Sequence, residues 1–180
     1  MRTFIAVEIP KDVQEGIGDY IHTVSGSIRN VKWVIPYNLH FTIKFLGEVD
    51  PGQVPVLQEC VAATASELDP FRISLNGLGF FPSMNKPRVL WIGTDGGADH
   101  LLEMFQTLEN HLERVGVDRE TRPFSPHLTI GRARKDKKIT VPSDVPEFGP
   151  LHFNANSLAL IKSTLTQKGP IYEKQFESLL

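Results

Sequence analysis

The sequence predicts an α+β fold made of two closely packed lobes that are related by approximate duplication. Short segments of alternating apolar and polar residues, typical of strands, are interspersed with longer segments of helical apolar spacing. One short pattern, His-x-Thr with apolar neighbours, occurs once in each half of the chain, at His40 and at His127. No flexible linker separates the halves of this 180-residue chain, so a single domain over residues 1–180 is expected.

The first half of the chain contains the elements around the first copy of the pattern. A nearly continuous apolar segment predicts a central strand over residues 3–9, and Pro10 then begins a helix with helical apolar spacing through Val24. A short strand over 31–34 is closed by Pro36, and the His40 strand covers 39–47, where Gly47 ends it. Residues 54–68 again show helical spacing and predict the second helix.

The second half repeats the mixture of strands and helices. Residues 71–81 alternate well, with Gly77 and Gly79 marking a bend or bulge, and residues 87–93 form the strand expected to pair with them. A helix is expected over 98–115, because Gly116 is a suitable stop. The His127 strand follows two prolines that hold the chain extended. After a proline-rich irregular segment over 142–150, closing strands are expected over 152–165 and 171–179.

Composition limits the classes of protein that the chain can belong to. The formal net charge is −2 and the pI is about 6.3, so the basic surplus of a protein that coats long nucleic acid is missing. A small or terminal phosphate ligand fits this charge better. The single cysteine, Cys60, excludes a disulfide within the chain and suits buried packing in a reducing compartment. No apolar segment approaches the length of a membrane span, and a cytoplasmic monomer is expected.

The His40 strand has two chemically distinct faces. The period of two places His40, Thr42 and Lys44 on one face and apolar Phe41 and Ile43, followed by Phe45, on the other. The polar face suits a phosphate, with Lys44 expected at the rim of a cleft. An isolated His-x-Thr is a weak signal, because a half-buried core histidine is common. Two copies with matching flanks favour a cleft that brings two histidines and two threonines together.

Two imidazoles at one site indicate paired acid–base chemistry. Since the unperturbed pKa of histidine is about 6.5, one ring can accept a proton while the other donates one. Threonine hydroxyls on the same side can donate hydrogen bonds to phosphate oxygens as charge develops. Phosphodiester cleavage needs these groups and neither a metal nor a cofactor. Zinc is the competing interpretation, but His-Glu-x-x-His and paired-cysteine spacings are absent.

Beyond the two His-x-Thr copies, an ordered set of segments resembles the two-histidine phosphoesterases, specifically the RNA 2′,3′-cyclic phosphodiesterases, also called 2′-5′ RNA ligases. His-x-Thr alone is too short to be specific, whereas the ordered set covers nearly the whole chain. The segments are Arg2-Thr3-Phe4-Ile5-Ala6-Val7, Trp33-Val34, Asn38 to Gly47, Pro87 to Gly93, Pro126 to Arg132 and Gly169-Pro170-x-Tyr172.

The resemblance implies a fold and a set of roles. The fold is bilobal, with two antiparallel sheets, outer helices and a pseudo-two-fold axis at a central cleft. The implied reaction is hydrolysis of a terminal 2′,3′-cyclic phosphate of RNA to a 2′-phosphate without metal, with 2′-5′ joining as its reverse. His40 and His127 correspond to the catalytic pair, His127 as base and His40 as acid. Thr42, Thr129 and Arg132 correspond to the phosphate-binding residues.

One residue whose role the resemblance implies, Arg132, does not fit the alternation of side chains along a regular strand. A regular strand would place Arg132 on the face opposite His127 and Thr129. Either a bulge at Gly131 turns Arg132 back, or its side chain reaches the site from the strand end. At the matching position the first copy has Phe45, so the two lobes are not equivalent.

The substrate and the alternatives stay open at this level. RNA 3′ ends or small cyclic nucleotides are the expected partners, and Trp33, Phe81 and Tyr172 are candidates to stack a base or to pack in the core. A non-catalytic module that binds RNA ends or nucleotides on the same scaffold is the principal alternative, although both histidines are present. A ferredoxin-like RNA-recognition domain is a further one, but no RNP-type aromatic strand is visible.

Overall fold

The computed structural model describes residues 1–167 and 169–180, and over these residues the chain forms nine strands and three α-helices. The elements in chain order are β1 (Arg2–Glu8), α1 (Lys11–Ser25), β2 (Val31–Trp33), β3 (His40–Glu48), α2 (Val54–Ser66), β4 (Phe71–Phe81), β5 (Val89–Gly96), α3 (Ala98–Arg114), β6 (Leu128–Ala133), β7 (Leu151–Ala155), β8 (Ser157–Thr166) and β9 (Gly169–Leu179). The predicted α+β class is confirmed.

The strands form two antiparallel sheets, as predicted. The first sheet has the order β3-β1-β8-β9, and the second has the order β2-β6-β5-β4-β7. β4 pairs with β5, and its ladder is interrupted at Gly77, where the sequence predicted a bend or bulge. The first His-x-Thr segment lies in β3, and the second begins at His127, directly before the first residue of β6; these two strands belong to different sheets and contact each other. The duplication therefore places one histidine motif on each side of the junction between the sheets.

The two halves of the chain exchange strands, and one sequence prediction is wrong here. Strand β2 from the first half joins the second sheet, while β8 and β9 from the second half join the first. The single strand expected over 152–165 is in fact β7 and β8, which separate at the exposed Asn156 and pair in different sheets. Apolar residues occur on both sides of this break, so hydrophobic pattern alone cannot reveal the change of partner strand.

The helices bury one face of each sheet. Helix α3 begins after Gly97, whose φ of +86° is left-handed, and a Cβ at that position would lie 2.5 Å from the Arg72 carbonyl oxygen. Its buried apolar side chains recur at helical spacing: Leu101, Met104, Leu108 and Leu112. Helices α1 and α2 present buried apolar stripes in the same way. Amphipathic periodicity in the sequence thus predicted all three helices correctly.

One buried core extends through both sheets and all three helices. It includes Ile5 of β1, Ile17 of α1, Val61 of α2, Ile92 of β5 and Leu108 of α3. Because the lobes share this core instead of having one each, we infer that residues 1–180 form a single bilobal domain. Over the described residues, no helix combines the length and the apolar character that crossing a membrane requires.

A smaller apolar cluster lies on the other side of the first sheet. It consists of Phe4, Ala6, Ala159 and Ile161, with Tyr172 packed against it. Alternate residues of β1, including Ile5 and Val7, belong instead to the main core. We call the side of the first sheet that carries this cluster the cleft face. This face, and the matching face of the second sheet, carry the residues described next.

Candidate active site

A β-bulge in β3 decides which side chains reach the cleft face. Thr42 lies opposite Ala6, and Phe45 lies opposite Phe4, so three steps along β3 match two along β1. The extra residue turns Lys44 away, where its side chain is only 7% exposed, and leaves Phe45 49% exposed. The prediction that Lys44 shares a face with His40 and Thr42 at the rim of the cleft is therefore wrong, as is the prediction that Phe45 lies on the opposite face with Phe41 and Ile43.

The same irregularity occurs in β6, where it settles the position of Arg132. Thr129 lies opposite Trp91 and Arg132 opposite Val89, so β6 also carries one extra residue between them. The bulge includes Gly131, where a Cβ would approach Val31 Cγ1 to 2.5 Å. Arg132 consequently points to the same side as Thr129, through the bulge that was one of two explanations considered from the sequence. In both copies of the motif, one extra residue in the strand interrupts the alternation of side chains between the two faces of the sheet.

The two histidine rings are held by the same kind of hydrogen bond. His40 Nδ1 lies 2.8 Å from the Asn38 carbonyl oxygen, and His127 Nδ1 lies 2.8 Å from the Ser125 carbonyl oxygen. Since a carbonyl oxygen only accepts, Nδ1 must carry the hydrogen in each ring. The Nε2 atom of each neutral ring then has a lone pair, and it is the atom that can exchange a proton with a ligand.

Aromatic side chains fix the orientation of both rings. Phe4 stacks on His40 with ring centroids 4.6 Å apart, and Tyr172 meets it edge-on at 5.2 Å. On the other lobe Phe81 and Trp91 contact His127 edge-on at 5.0 and 6.3 Å. Of the sequence candidates for base stacking, Phe81 and Tyr172 thus lie beside the histidines.

Two aromatic residues that contact the histidines, Phe4 and Trp91, were not predicted, and one predicted stacking candidate, Trp33, lies away from both histidines. Trp33 packs over Gly131 and the main core and forms no ring contact with either histidine in the described part of the chain. Phe4 and Trp91 lie on strands that flank β3 and β6 in the sheets. Their presence in segments that resemble the family was the available signal, but the sequence did not show which way the two rings point.

The environment of His40 favours its neutral form. Burial lowers the pKa of His40 to about 4, the hydrogen bond to the Asn38 carbonyl opposes this, and the positive charge of Arg132 lowers the pKa further. Arg132 is therefore close enough to act on a histidine of the other lobe. Within the residues that the structure describes, Arg132 has no carboxylate partner, so its charge is available to a ligand.

This burial should make the stability of the protein depend on pH. A histidine whose pKa is about 4 when folded and about 6.5 when unfolded stabilises the fold fully above pH 6.5, and the contribution is lost as pH falls towards 4. We expect the free energy of unfolding to decrease by up to about 3 kcal/mol over this range, relative to His40→Asn, which cannot take up the proton. Urea unfolding at pH 7 and pH 4.5 measures this difference. The same pH dependence in both proteins would contradict it.

The threonine hydroxyls are available to a ligand. Thr42 is exposed and Thr129 is half-buried, each two residues after its histidine. Over residues 1–167 and 169–180 neither hydroxyl takes part in a hydrogen bond. Two hydroxyl donors, two histidine Nε2 atoms and one guanidinium group suit a tetrahedral oxyanion such as phosphate.

A cavity of about 210 Å³ lies directly beside His40. Its walls include Tyr37, which is 78% exposed, Tyr172, and the Glu8–Lys174 ion pair, in which Oε2 and Nζ are 2.5 Å apart. An aromatic platform beside polar groups suits a nucleoside. A second cavity of the same volume is lined by Glu67, Asp69 and Glu103, whose negative charges would repel a phosphate.

No group of three or more histidine, cysteine, aspartate or glutamate side chains within the described ranges is placed to hold a metal ion. Cys60 is buried and unpaired, and burial raises the pKa of its thiol, which disfavours the reactive thiolate.

Comparison with known proteins adds a family model and similar chains. A model described as LigT like phosphoesterase matches twice, over residues 7–91 and 92–172, so that each match contains one histidine motif. A protein of Methanocaldococcus jannaschii named RNA 2′,3′-cyclic phosphodiesterase is 37% identical over 177 residues, covering 96% of this chain and 97% of its own length. A Thermotoga maritima protein of the same name is 32% identical over 179 residues, covering 98% and 94%.

Solved structures share the fold. The crystal structure of a Thermus thermophilus protein, TT0787, superposes with a TM-score of 0.87 at 29% identity, covering 100% of this chain and 98% of that one. Escherichia coli LigT complexed with 3′-AMP superposes with a TM-score of 0.79 at 24% identity, covering 99% and 97%.

Proposed function

This chain belongs to the LigT-like phosphoesterase family, and on that premise we propose that it hydrolyses the terminal 2′,3′-cyclic phosphate of RNA to a 2′-phosphomonoester. The observation that carries the proposal is the matched pair of histidines. Each ring is anchored through Nδ1 to the carbonyl two residues earlier; His40 begins β3, His127 directly precedes β6, and these two strands of different sheets contact each other. The curated relatives, named RNA 2′,3′-cyclic phosphodiesterases, support the choice of substrate.

The proposed chemistry is an in-line displacement at phosphorus. A water molecule attacks opposite the 3′-oxygen, giving its proton to Nε2 of His127, while Nε2 of His40 donates a proton to the departing 3′-oxygen. The P–O3′ bond breaks and the P–O2′ bond remains, so the product is a 2′-phosphate. Each proton transfer contributes roughly 10²–10⁴ in rate. No metal or cofactor is needed for this sequence of events.

The acid role of His40 requires the bound substrate. Burial holds the pKa of His40 at about 4 in the free protein, so the ring is neutral near pH 7. A phosphate anion against the imidazole stabilises the charged form and raises the pKa. We propose that His40 takes up a proton when the substrate binds. The phosphate supplies the negative charge that the buried imidazolium lacks in the free protein.

The other site residues hold the phosphate. We assign the hydroxyls of Thr42 and Thr129 as hydrogen-bond donors to the non-bridging oxygens, one from each lobe. The guanidinium of Arg132 neutralises the charge that develops on them. The terminal nucleoside occupies the cavity beside His40, with its base against Tyr37 or Tyr172.

The same site would also join RNA through a 2′-5′ linkage, a reaction that reverses the cleavage of such a linkage to a 2′,3′-cyclic phosphate. When the 5′-hydroxyl of a second RNA takes the place of water, its attack on the cyclic phosphate leaves a 2′-5′ linkage. The proton transfers are the same, so the two histidines serve both reactions. Incubation of a cyclic-ended RNA with a 5′-hydroxyl RNA, followed by digestion with a nuclease specific for 3′-5′ linkages, would reveal a resistant junction.

A direct assay tests the function. The protein is incubated with a 2′,3′-cyclic mononucleotide and with a cyclic-ended oligonucleotide, both in the presence of a chelator, and the products are resolved as 2′- or 3′-phosphates. We expect 2′-phosphates from both substrates, formed at the same rate with and without the chelator. Binding without turnover would favour the non-catalytic RNA-end module. Loss of activity on chelation, with recovery on added zinc or magnesium, would favour a metal enzyme.

The order of the two histidines is tested with a substrate that has sulfur in place of the 3′-oxygen. A thiolate departs with little need of protonation, so this substrate should largely restore the rate of His40→Ala and leave His127→Ala inactive. The opposite pattern would reverse the roles. Rescue of neither variant would mean that the histidines orient the phosphate without transferring protons.

A further inference from the structure

The two copies of the motif differ at one position on the cleft face. The bulges bring Arg132 to this face in β6 and Phe45 to the corresponding place in β3. The first lobe nevertheless supplies a cation there, because the guanidinium carbon of Arg2 lies 4.7 Å from the centre of the Phe45 ring. Arg2 comes from the neighbouring strand β1, on the same side as Phe4 and Ala6.

The charge of Arg2 has no counter-ion among the residues that the structure describes. Arg2 is exposed, and across residues 1–167 and 169–180 it takes part in no ion pair. Glu48 lies opposite Arg2 in the sheet, but its carboxylate instead pairs with the amino group of Met1 at 3.0 Å. Stacking on Phe45 occupies the flat face of the guanidinium and leaves the N–H groups at its edge free to donate.

Two aromatic rings place Arg2 near the reaction centre: Arg2 lies over Phe45, which is opposite Phe4 in the sheet, and Phe4 stacks on His40. The Tyr172 ring touches both His40 and Phe4. Burial raises the pKa of the Tyr172 hydroxyl, while the positive charges of Arg132 and then Arg2 lower it. Arg2 and Arg132 therefore both reach the cleft face, and the proposed mechanism uses only Arg132.

We propose that Arg2 binds a second phosphate of the substrate, the one esterified to the 5′-oxygen of the same terminal nucleotide. The proposal rests on the proposed function, because it takes the cyclic phosphate to lie between the histidines. Adjacent phosphates of an RNA strand are separated by one ribose, and Arg2 is separated from His40 by the Phe45 and Phe4 rings, so its guanidinium can meet the next phosphate. An arginine fork matches phosphate geometry with two parallel hydrogen bonds.

The test uses two substrates that differ only in this phosphate. One is adenosine 2′,3′-cyclic phosphate, and the other is the same nucleotide with a 5′-phosphate. For the wild-type protein we expect kcat/KM to be about tenfold higher with the 5′-phosphate, the factor that one charge-assisted hydrogen bond confers. In Arg2→Gln this ratio should fall close to one, and Arg2→Lys should keep part of it. Arg114→Gln, at the exposed end of α3, is the matched control and should retain the wild-type ratio.

The outcomes separate this inference from the function on which it rests. If neither substrate is hydrolysed, the proposed function is wrong. If both are hydrolysed but the 5′-phosphate gives the wild-type protein no advantage, Arg2 binds no second phosphate. An advantage that persists in Arg2→Gln would assign the second phosphate to another cation. Thermal unfolding of each variant confirms that the fold is retained.

Discussion

Replacement of His40 or His127 with alanine is expected to reduce kcat for cyclic-phosphate hydrolysis by at least roughly 10²–10⁴-fold, the range for loss of one positioned proton transfer. The double variant should be little slower than either single variant, because the two rings act as a unit in one displacement. Steady-state assays with a 2′,3′-cyclic mononucleotide measure all three. Activity near the wild-type level in either single variant would refute the paired mechanism.

Matched variants separate chemistry from structure. His40→Ala removes a ring that packs between Phe4 and Tyr172 and could loosen the cleft face. His40→Asn keeps a side-chain N–H that can donate to the Asn38 carbonyl but has no group at the Nε2 position, so it should be as inactive as His40→Ala while folding better. His22→Ala, on the exposed side of α1, should be fully active.

Removal of the Lys44 ammonium is expected to destabilise the fold and to leave the active site intact. Lys44 Nζ lies 2.6 Å from Glu109 Oε1 of α3 and donates to the Asp118 carbonyl at 2.9 Å. The two side chains are 7% and 3% exposed. Loss of one partner leaves the other buried charge without a counter-charge, which lowers the free energy of unfolding by about 3–5 kcal/mol. Urea unfolding of Lys44→Met at pH 7 measures this cost.

A double-mutant cycle shows whether the loss comes from the ion pair. Glu109→Gln alone should also destabilise, and Lys44→Met with Glu109→Leu should cost clearly less than the sum of the single changes, because no unpaired charge remains. The folded fraction of Lys44→Met should keep the wild-type kcat. A large loss of kcat with unchanged stability would instead place Lys44 in the cleft, where the sequence pattern had put it.

Local sequence determined the helices, most of the strands and the central residues of the site. Apolar spacing in α1, α2 and α3 depends only on the 3.6-residue period, and turn residues mark the ends of the elements. The repeat of His-x-Thr was sufficient to propose a cleft with His40 and His127 on contacting lobes, because residues two apart share one face of a strand. The roles of these residues remain predictions that the experiments above test.

The tertiary structure decided what depends on neighbouring strands. A β-bulge arises from the register between two strands, so the sequence of β3 alone could not show that Lys44 turns inwards to Glu109 while Phe45 turns outwards. The same dependence brings Arg132 to the cleft face and divides the last apolar segment into β7 and β8. Arg2 gains its position over Phe45 only when β1 pairs with β3. Contacts between residues far apart in the chain set these features, and no local period encodes them.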